Sequence, residues 1–585
     1  MQKAGFCEMK FRSMLLTSTL TLSVTYIMLL CDTIVAGMFV GPKGVAAINA
    51  VTPVTGLITF SASIFSIGTG IVYSREIGAM RKSRADEIFS LGLVLNVGIS
   101  VLTAVLLLAF RNEYFEADHL DGEILELASA YYRWTPLNAV LAILNSYLTK
   151  LVYTDGDEKS TTFSYIVQIG SNLFFSVLLA RSYGMAGIIL GTIIGNFLGI
   201  LAVCRHFFLK SSTLHFVPRF SFADTGRIMR YSVVDAAIYI CWAVMDYVLI
   251  GHVSGRYGQA GEITLAVVVG LLEFGIVLDG VGMAAQPLLQ TYLGEENRKM
   301  VRRLIRDAMK TAVLEGLAAN VLVFAFARPF CALFGITGGP QLADAVRALR
   351  IVSFGLVFCS VLSLLTSYYL LTDHIRLSVG IIVLKDGLFY TLLPLLGSLL
   401  MGEDAMWAAF AVAPLLAFLL TCLWIRLRYG RKSFPHLMEM TEDREIVVMD
   451  ELLAPESASR LSILVNEEIL NHGHRKETAA HASLFTEEIV MNAWEINRKR
   501  RRPPHVEITL LFGADSVRLI ERDNGEILNS TDPNMRINGI GSYVLSRLMN
   551  HQESRLYLIT TGYNRVFLDF RFPLSPVCFD DKICN

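Results

Sequence analysis

Up to about residue 430 the chain alternates long apolar stretches with short charged ones, and beyond that point the pattern becomes that of a water-soluble domain. A membrane-crossing helix needs about 20 mostly apolar residues. Twelve such stretches centre near residues 26, 60, 99, 142, 173, 197, 242, 275, 317, 358, 388 and 414. Pro53, Gly68, Gly70, Pro136, Pro287, Pro394 and Pro414 fall inside them, as a bundle permits when neighbouring helices resatisfy the backbone. After residue 440 the period changes. Residues 456–471 and 478–498 read as helices, Val506–Leu511 and Val517–Arg522 as strands, and Ile540–Asn550 as a helix. Arg555–Thr560 and Val566–Phe572 read as a closing hairpin around Gly562-Tyr563-Asn564. The expected fold class is an all-α polytopic membrane protein of twelve transmembrane helices in two six-helix repeats, with a small α+β domain appended. The expected divisions are residues 1–215 and 216–430 for the two six-helix lobes, 431–450 for a linker and 451–585 for the appended domain.

Composition agrees with this pattern. Apolar residues make up 53% of the 585 and charged ones 18%, against roughly 25% charge in soluble domains. The net charge of −1 gives no reason to expect a nucleic-acid partner. Taking alternate loops as one side, that side carries 25 Lys and Arg and the other 8. The excess places the first side in the cytoplasm, with both termini and the appended domain on it. The basic N-terminus (Lys3, Lys10, Arg12) runs into an apolar stretch without a small-residue cleavage site, so it reads as the first span. Nine scattered cysteines form no CxxC pair and read as reduced thiols.

The membrane part repeats itself. Asp32 and Gly37 recur as Asp246 and Gly251, and Gly70…Gly78 recurs as Gly282…Gly294, each time followed by a basic cluster. Asp155 recurs as Asp373, and the offsets at Asp32, Gly78 and Asp155 are 214, 216 and 218. Six spans return the chain to its starting side, so the two halves share one orientation, as in transporters with parallel repeats.

Charge inside a span marks the chemistry. A carboxylate deep in a span costs roughly 2.5–3.5 kcal/mol, so Asp32 has to face a cavity or carry a proton. Glu273 and Asp279 lie six apart on the eighth stretch, and Lys385 and Asp386 sit early in the eleventh, where they could meet those acids across a central cleft. With Leu30–Gly37, Thr154–Lys159, Asn172, Gly184–Gly187, Gly195-Asn196, Gln286-Pro287-Leu288 and Tyr292-Leu293-Gly294 in order, residues 10–430 resemble the multidrug and toxic-compound extrusion family. The resemblance implies cation coupling through the helix-one Asp32, with Asn172, Asp246, Glu273, Asp279 and Asp386 along the transport path. The chain departs from that family in lacking the early proline of helices one and seven. It also carries Ser176 where many members have an Asp.

The tail holds a second constellation. Glu488 and Asn492, four apart, share a helix face. Asp523-Asn524-Gly525 ends a strand, and Gly539-Ile540-Gly541 opens a helix whose N-terminal amides suit phosphate. This order resembles the Bergerat-type ATPase fold of gyrase, heat-shock chaperones, histidine kinases and anti-sigma-factor kinases (the GHKL group). The resemblance implies ATP with Mg²⁺, Glu488 as general base, Asn492 on the metal, Asp523 on the adenine amino group, and Asn524, Gly525, Gly539 and Gly541 shaping the pocket. His472, His474 and His481 read as surface histidines.

The expected whole is a Na⁺- or H⁺-coupled exporter of small amphipathic organic compounds in the plasma membrane. Its cytosolic tail would regulate it by binding ATP, with scope for a regulatory protein partner. Whether the tail is an enzyme, an ATPase or a protein kinase, stays open. A membrane-anchored sensor kinase and a lipid-linked sugar flippase remain the alternatives.

Overall fold

The computed structural model describes residues 5–79, 81–117, 122–209, 212–218, 221–334, 336, 338–430, 434–435, 445–499, 503–513, 516–525, 555–560 and 564–571. The chain divides into two units. One is the helical body, residues 11–208 and 214–438, and the other is dominated by the tail, from 439 on.

In the body, the long helix α1 (Phe6–Phe39) is followed by α2 (Pro42–Gly78) and α3 (Lys82–Ala109). The short helices α4 (Arg111–Ala117) and α5 (Gly122–Tyr132) lead into α6 (Thr135–Thr154), α7 (Glu158–Tyr183) and α8 (Met185–Cys204). The second half begins with α9 (Thr225–Phe274), which is interrupted at Gly258 by a left-handed φ of 62°. A short 3₁₀ turn, Gly275–Asp279, joins it to α10 (Gly280–Gly294). Next come α11 (Arg298–Leu333), α12 (Gly339–Ser353) and α13 (Leu356–Leu371). The helix α14 (Ile375–Ile382) passes through a π turn, Val383–Phe389, into α15 (Tyr390–Met401), and α16 (Glu403–Tyr429) closes the body.

Among the described residues nine helical segments are long and apolar enough to cross a bilayer, or ten if the bent pair α12–α13 counts as one. The expected twelve are therefore not all met by length and composition; α1, α5 and α6 fall outside the nine. The surface explains why water is the wrong solvent. Leu108, Phe174, Leu400 and Met401 stand 62–82% exposed on these helices, large apolar side chains that a bilayer would cover. Inside, Val35, Val51, Ile143 and Ile188 knit the first half, and Leu249, Val268, Leu349 and Phe410 the second. The seven described cysteines are all free thiols.

The tail contains helices α17 (Pro455–Asn471) and α18 (Lys476–Asn497), close to the expected bounds. They pack on a five-stranded antiparallel sheet of order β1-β2-β3-β5-β4. Strands β2 (His505–Phe512), β3 (Ser516–Asp523), β4 (Arg555–Thr560) and β5 (Asn564–Arg571) match the sequence reading. Strand β1 (Glu445–Leu452) does not, since it lies in the stretch read mostly as linker. Its charged ends and the run Thr441–Arg444 before it mask a short apolar centre, Ile446–Met449, a pattern typical of an edge strand. Val506, Ile508, Leu510 and Phe512 of β2 share one face with Val517 and Leu519 of β3, as the period of two requires. With Leu461, Val465, Phe485 and Ile489 from the helices they form the tail core. The helix expected at Ile540–Asn550, with Gly539 and Gly541, lies outside the described residues.

Candidate functional site

In the first half of the body Asp32 sits on α1, about two turns from the helix end. Tyr131 donates its hydroxyl to Oδ2 at 2.6 Å, and Thr192 reaches both carboxylate oxygens at 3.1 Å. Both partners are neutral, and both escaped the sequence reading, because hydroxyl residues are common in apolar helices and carry no spacing signal. Asn172 does not join them. It is buried and accepts instead from Ser176, which also donates to the Ile188 carbonyl. A buried amide chain runs alongside: Gln168 donates to Asn196 at 2.8 Å, and Asn196 to Asn138 at 2.9 Å. The first half thus surrounds one carboxylate with polar but uncharged groups.

The second half is charged. Asp246 is half-buried on α9, and its charge acts on another acid, Glu273. Although Asp246 is the repeat mate of Asp32, no hydroxyl cage surrounds it among the described residues. Asp279 accepts from Ser363. Lys385 does not reach across to Glu273; its ammonium lies 3.1 Å from the carboxylate of its own neighbour, Asp386. Asp386 also accepts from Trp242. Glu315 on α11, absent from the sequence reading, accepts from Ser360 at 3.2 Å.

The two halves meet at their Lys/Arg-rich end. There α2 crosses α10 at Gly78 and Gly294, the pair that the repeat aligns. A Cβ on Gly294 would stand 2.8 Å from Gly78 backbone atoms, and one on Gly78 would stand 3.1 Å from Gly294 Cα. Repeat mates that touch each other lie on the axis relating the halves, and only a residue without a Cβ allows this approach. Ion pairs fasten the crossing. Arg75 of α2 holds Asp373 at 2.9 Å and also donates to the Tyr231 hydroxyl and the Leu371 carbonyl. Glu76 takes Arg227 at 2.8 Å and Arg81 at 2.7 Å. Gln290, next to this crossing, is fully buried, and neither atom of its amide makes a hydrogen bond among the described residues.

Asp155, the mate of Asp373, stays within its own half, where Tyr73 donates to it at 2.8 Å. His206 bridges Asp155 and Asp157, 2.9 Å from each. Burial would raise Asp157, but hydrogen bonds from His206 and from Ser160, whose N–H it caps at the start of α7, dominate and bring its pKa down to about 2.

In the tail, Glu488 and Asn492 are half-buried on α18, flanking the Ile489 and Ala493 that pack into the core. Asp523 is buried at the end of β3, opposite Val506 of β2 and Asn564 of β5. Its Oδ1 accepts the Gly525 N–H at 2.7 Å, and Asn524 accepts the His505 N–H at 2.8 Å. A Cβ on Gly525 would stand 2.4 Å from the Asn497 amide and 2.5 Å from Asp523 Oδ1, so a side chain here would displace one of them. His472 stacks flat on Phe512 at 3.8 Å and pairs with Glu445 at 2.9 Å, which makes it a packing residue between β1 and β2. No group of three or more His, Cys, Asp or Glu residues suited to a metal occurs among the described residues.

Compared with known proteins, residues 18–178 and 232–385, more than half of the chain, match the MatE family model. The multidrug export protein MepA of Staphylococcus aureus (strain MRSA252) is 19% identical over 295 residues, covering 50% of this chain and 65% of MepA. Its namesake in Staphylococcus haemolyticus (strain JCSC1435) is 23% identical over 174 residues, 29% of this chain and 38% of that protein. The chain thus spans less than two-thirds of these relatives. Among solved structures, a MOP superfamily transporter from Pyrococcus furiosus, described as having a binding pocket of reverse polarity, superposes with a TM-score of 0.67 at 19% identity. The match covers 73% of this chain and 96% of that one. An outward-facing multidrug resistance MATE family transporter gives 0.67 at 19% identity over 72% and 96%. At such identity the likeness is one of fold, and it agrees with the helix order and the family match: the chain belongs to the MatE family.

Proposed function

We propose that the body is a secondary exporter of small organic, amphipathic compounds, driven by inward movement of Na⁺ or H⁺. The observation that carries this reading is Asp32, a carboxylate inside an apolar helix whose only described partners are two hydroxyls. Without a fixed cationic partner it can take up and release a proton or Na⁺, and each change alters the charge between α1, α5 and α8. The relatives named as multidrug export proteins support the export direction. The α1 helix and the α5–α6 pair supply the remaining crossings of a twelve-span body. The Lys/Arg-rich end faces the cytoplasm by the positive-inside rule, so the Gly78–Gly294 crossing is a closed inner gate. Rocking of the two halves about it would expose the path alternately.

Energy from an ion gradient suffices. One monovalent charge moving across 100 mV yields about 2.3 kcal/mol, which sustains a substrate gradient of roughly fifty-fold at about 1.4 kcal/mol per decade. ATP is therefore assigned to regulation. The tail residues fit such a ligand in chemistry: Asp523 is a buried acceptor at a strand end, and the Gly525 turn is closely packed beside it. Glu488 and Asn492 offer the oxygen ligands that Mg²⁺ prefers. Bound ATP would supply a triphosphate; these residues would hold its base and metal.

The test is ethidium efflux from proteoliposomes. Wild type exports under an imposed proton or Na⁺ gradient, and Asp32→Asn loses at least tenfold of the initial rate. Export that continues after both gradients are collapsed would rule out coupling through Asp32.

A further inference from the structure

The helix α11 has two faces of different chemistry. Val301, Ile305 and Ala312 on its inner face are fully buried. The opposite face carries Lys299, Arg303, Arg306 and Lys310, all exposed. It continues with Leu314, Leu317, Val321 and Phe324, exposed as well. Alternating steps of four and three keep the basic and the apolar residues on one straight stripe. Four residues past Phe324 the stripe reaches Arg328, again exposed. The 18 residue steps from Lys310 to Arg328 rise about 27 Å, close to the ~30 Å of a bilayer's hydrocarbon. The apolar part therefore faces lipid, with a basic side chain marking each boundary. Lys310 and Arg306 stand at headgroup depth, and Arg303 and Lys299 follow one and two turns further out.

Charge balance shows that the basic part of this stripe is not neutralised from within. Arg298–Lys310 contains six basic residues and one acid, Asp307. Asp307 meets Lys310 at 3.7 Å, at the surface. Arg303 and Arg306 have no ion pair among the described residues. Like charges three or four apart on a helix repel, and this stripe stacks four of them. The repeat mate α3 has the balanced arrangement. There Lys82 and Arg84 are followed by Asp86 and Glu87, and Arg84 pairs with Glu87 and, at 3.0 Å, with Asp224. The first half thus supplies its own counter-charge at this helix start, while the second presents positive charge outward. The basic run passes into the lipid-facing apolar run without changing face, so the counter-charge in the right place is that of the headgroups.

We propose that Lys299, Arg303, Arg306 and Lys310 form a binding surface for anionic phospholipids of the adjoining leaflet. Headgroup phosphates lie against the guanidinium and ammonium groups, and acyl chains lie along Leu314 and Leu317. A guanidinium can hold a phosphate through two parallel hydrogen bonds. Each basic residue at this depth favours an anionic leaflet about fivefold. The surface is a property additional to export and does not depend on it.

The experiment counts the lipids retained by full-length protein. The protein is reconstituted into vesicles of phosphatidylcholine and phosphatidylglycerol mixed four to one, extracted into mild detergent, and weighed with its bound lipids by native mass spectrometry. The ratio of retained phosphatidylglycerol to phosphatidylcholine should exceed that of the vesicle by about fivefold or more. Arg303→Gln with Arg306→Gln should bring the ratio to within twofold of the vesicle's, and Arg303→Lys with Arg306→Lys should keep most of the enrichment. Arg84→Gln, in the balanced first half, should leave it unchanged. Inorganic phosphate added to wild type at constant ionic strength should not displace the lipid; displacement would mean a site for free phosphate and would overturn the membrane partner. Wild type without enrichment, the result if another segment or a protein covers the stripe, overturns the proposal. A double glutamine variant that keeps the enrichment does the same. None of these outcomes bears on the export reading, because the count requires no transport.

Discussion

The two halves of the helical body share a backbone plan and differ in chemistry. In the first, Asp32 has only the hydroxyls of Tyr131 and Thr192 around it. In the second, a lysine is committed to Asp386, and two further acids share serine hydroxyls. The positions that repeat most faithfully are those where helices must touch: Gly78 and Gly294 align in sequence and meet in space. Asp32 and Asp246 also align, yet only Asp32 acquires hydroxyl partners. Duplication preserved the packing contacts, while the polar interior of each half diverged.

The largest expected effect comes from unpairing the internal charge of the second half. Removing one member of a buried ion pair leaves the other uncompensated, at a cost of about 3–5 kcal/mol, whereas replacing both with apolar residues is nearly neutral. Lys385→Met should therefore lower the melting temperature of detergent-solubilised protein sharply, and Lys385→Met with Asp386→Leu should recover most of it. Among the described residues no charged pair surrounds Asp32, so Asp32→Asn should leave the melting temperature nearly unchanged while abolishing coupled export. Equal destabilisation by Asp32→Asn and Lys385→Met would erase the contrast between the halves.

Next in size is the hydroxyl cage of the first half. A hydrogen bond to a charged group contributes about 1.5–3 kcal/mol. Tyr131→Phe should therefore shift the apparent affinity for the coupling ion by tenfold or more. The same measurement on Asp246→Asn, the repeat mate without a cage, should move by less than threefold.

These residues also mark how far the sequence alone could be read. Asp32, Asp279, Asp386 and Lys385 stand out because a charge in an apolar run is conspicuous at any register. Tyr131, Thr192, Ser360 and Ser363 do not, because hydroxyl groups occur throughout such helices and only the three-dimensional packing selects among them. Glu315 was hidden for another reason: α11 opens with a dense run of charge from Arg298 to Lys310, which reads as a solvated helix end and draws the eye from an acid one turn further in. The tail helices α17 and α18 and four of the five tail strands followed from periodicity, whereas β1 was lost to its charged flanks. Of the tail residues read from the sequence as a nucleotide site, Glu488 and Asn492 lie on α18 and Asp523 at the end of β3, while Gly539 and Gly541 lie outside the described residues.

The gate tests whether the halves move as units. A methyl on Gly294 meets Gly78 backbone at 2.8 Å, and backbone on both sides cannot yield as a flexible side chain would. Gly294→Ala should hold the inner end ajar, raising the labelling rate of a cysteine placed at Ser74 by a membrane-permeant thiol reagent and slowing export severalfold. Gly37→Ala, at the other end of the first half, has its added methyl at an ordinary 3.4 Å from Val45 and should change neither.

The smallest effect lies in the tail, where one acid offers a control on all these arguments about buried charge. Glu521 lies two residues before Asp523, on the β3 face that packs against the helices, and is 1% exposed. Its Oε1 has no hydrogen-bond partner among the described residues. Burial pushes its pKa well above the ordinary range and the Asp523 charge pushes it further, against a smaller opposing influence from Arg522. The folded tail thus holds this proton while the unfolded chain releases it above about pH 4.5. A group raised in the folded state contributes stability that is complete below the unfolded value and is lost as pH rises towards the folded one. Glu521→Gln keeps the shape and removes the titration. Its melting temperature should therefore match wild type near pH 4.5, exceed it by a few degrees at pH 7.5, and show a shallower decline between the two. Wild type and Glu521→Gln melting in parallel across that range would mean that the acid is paired and ionised in the fold.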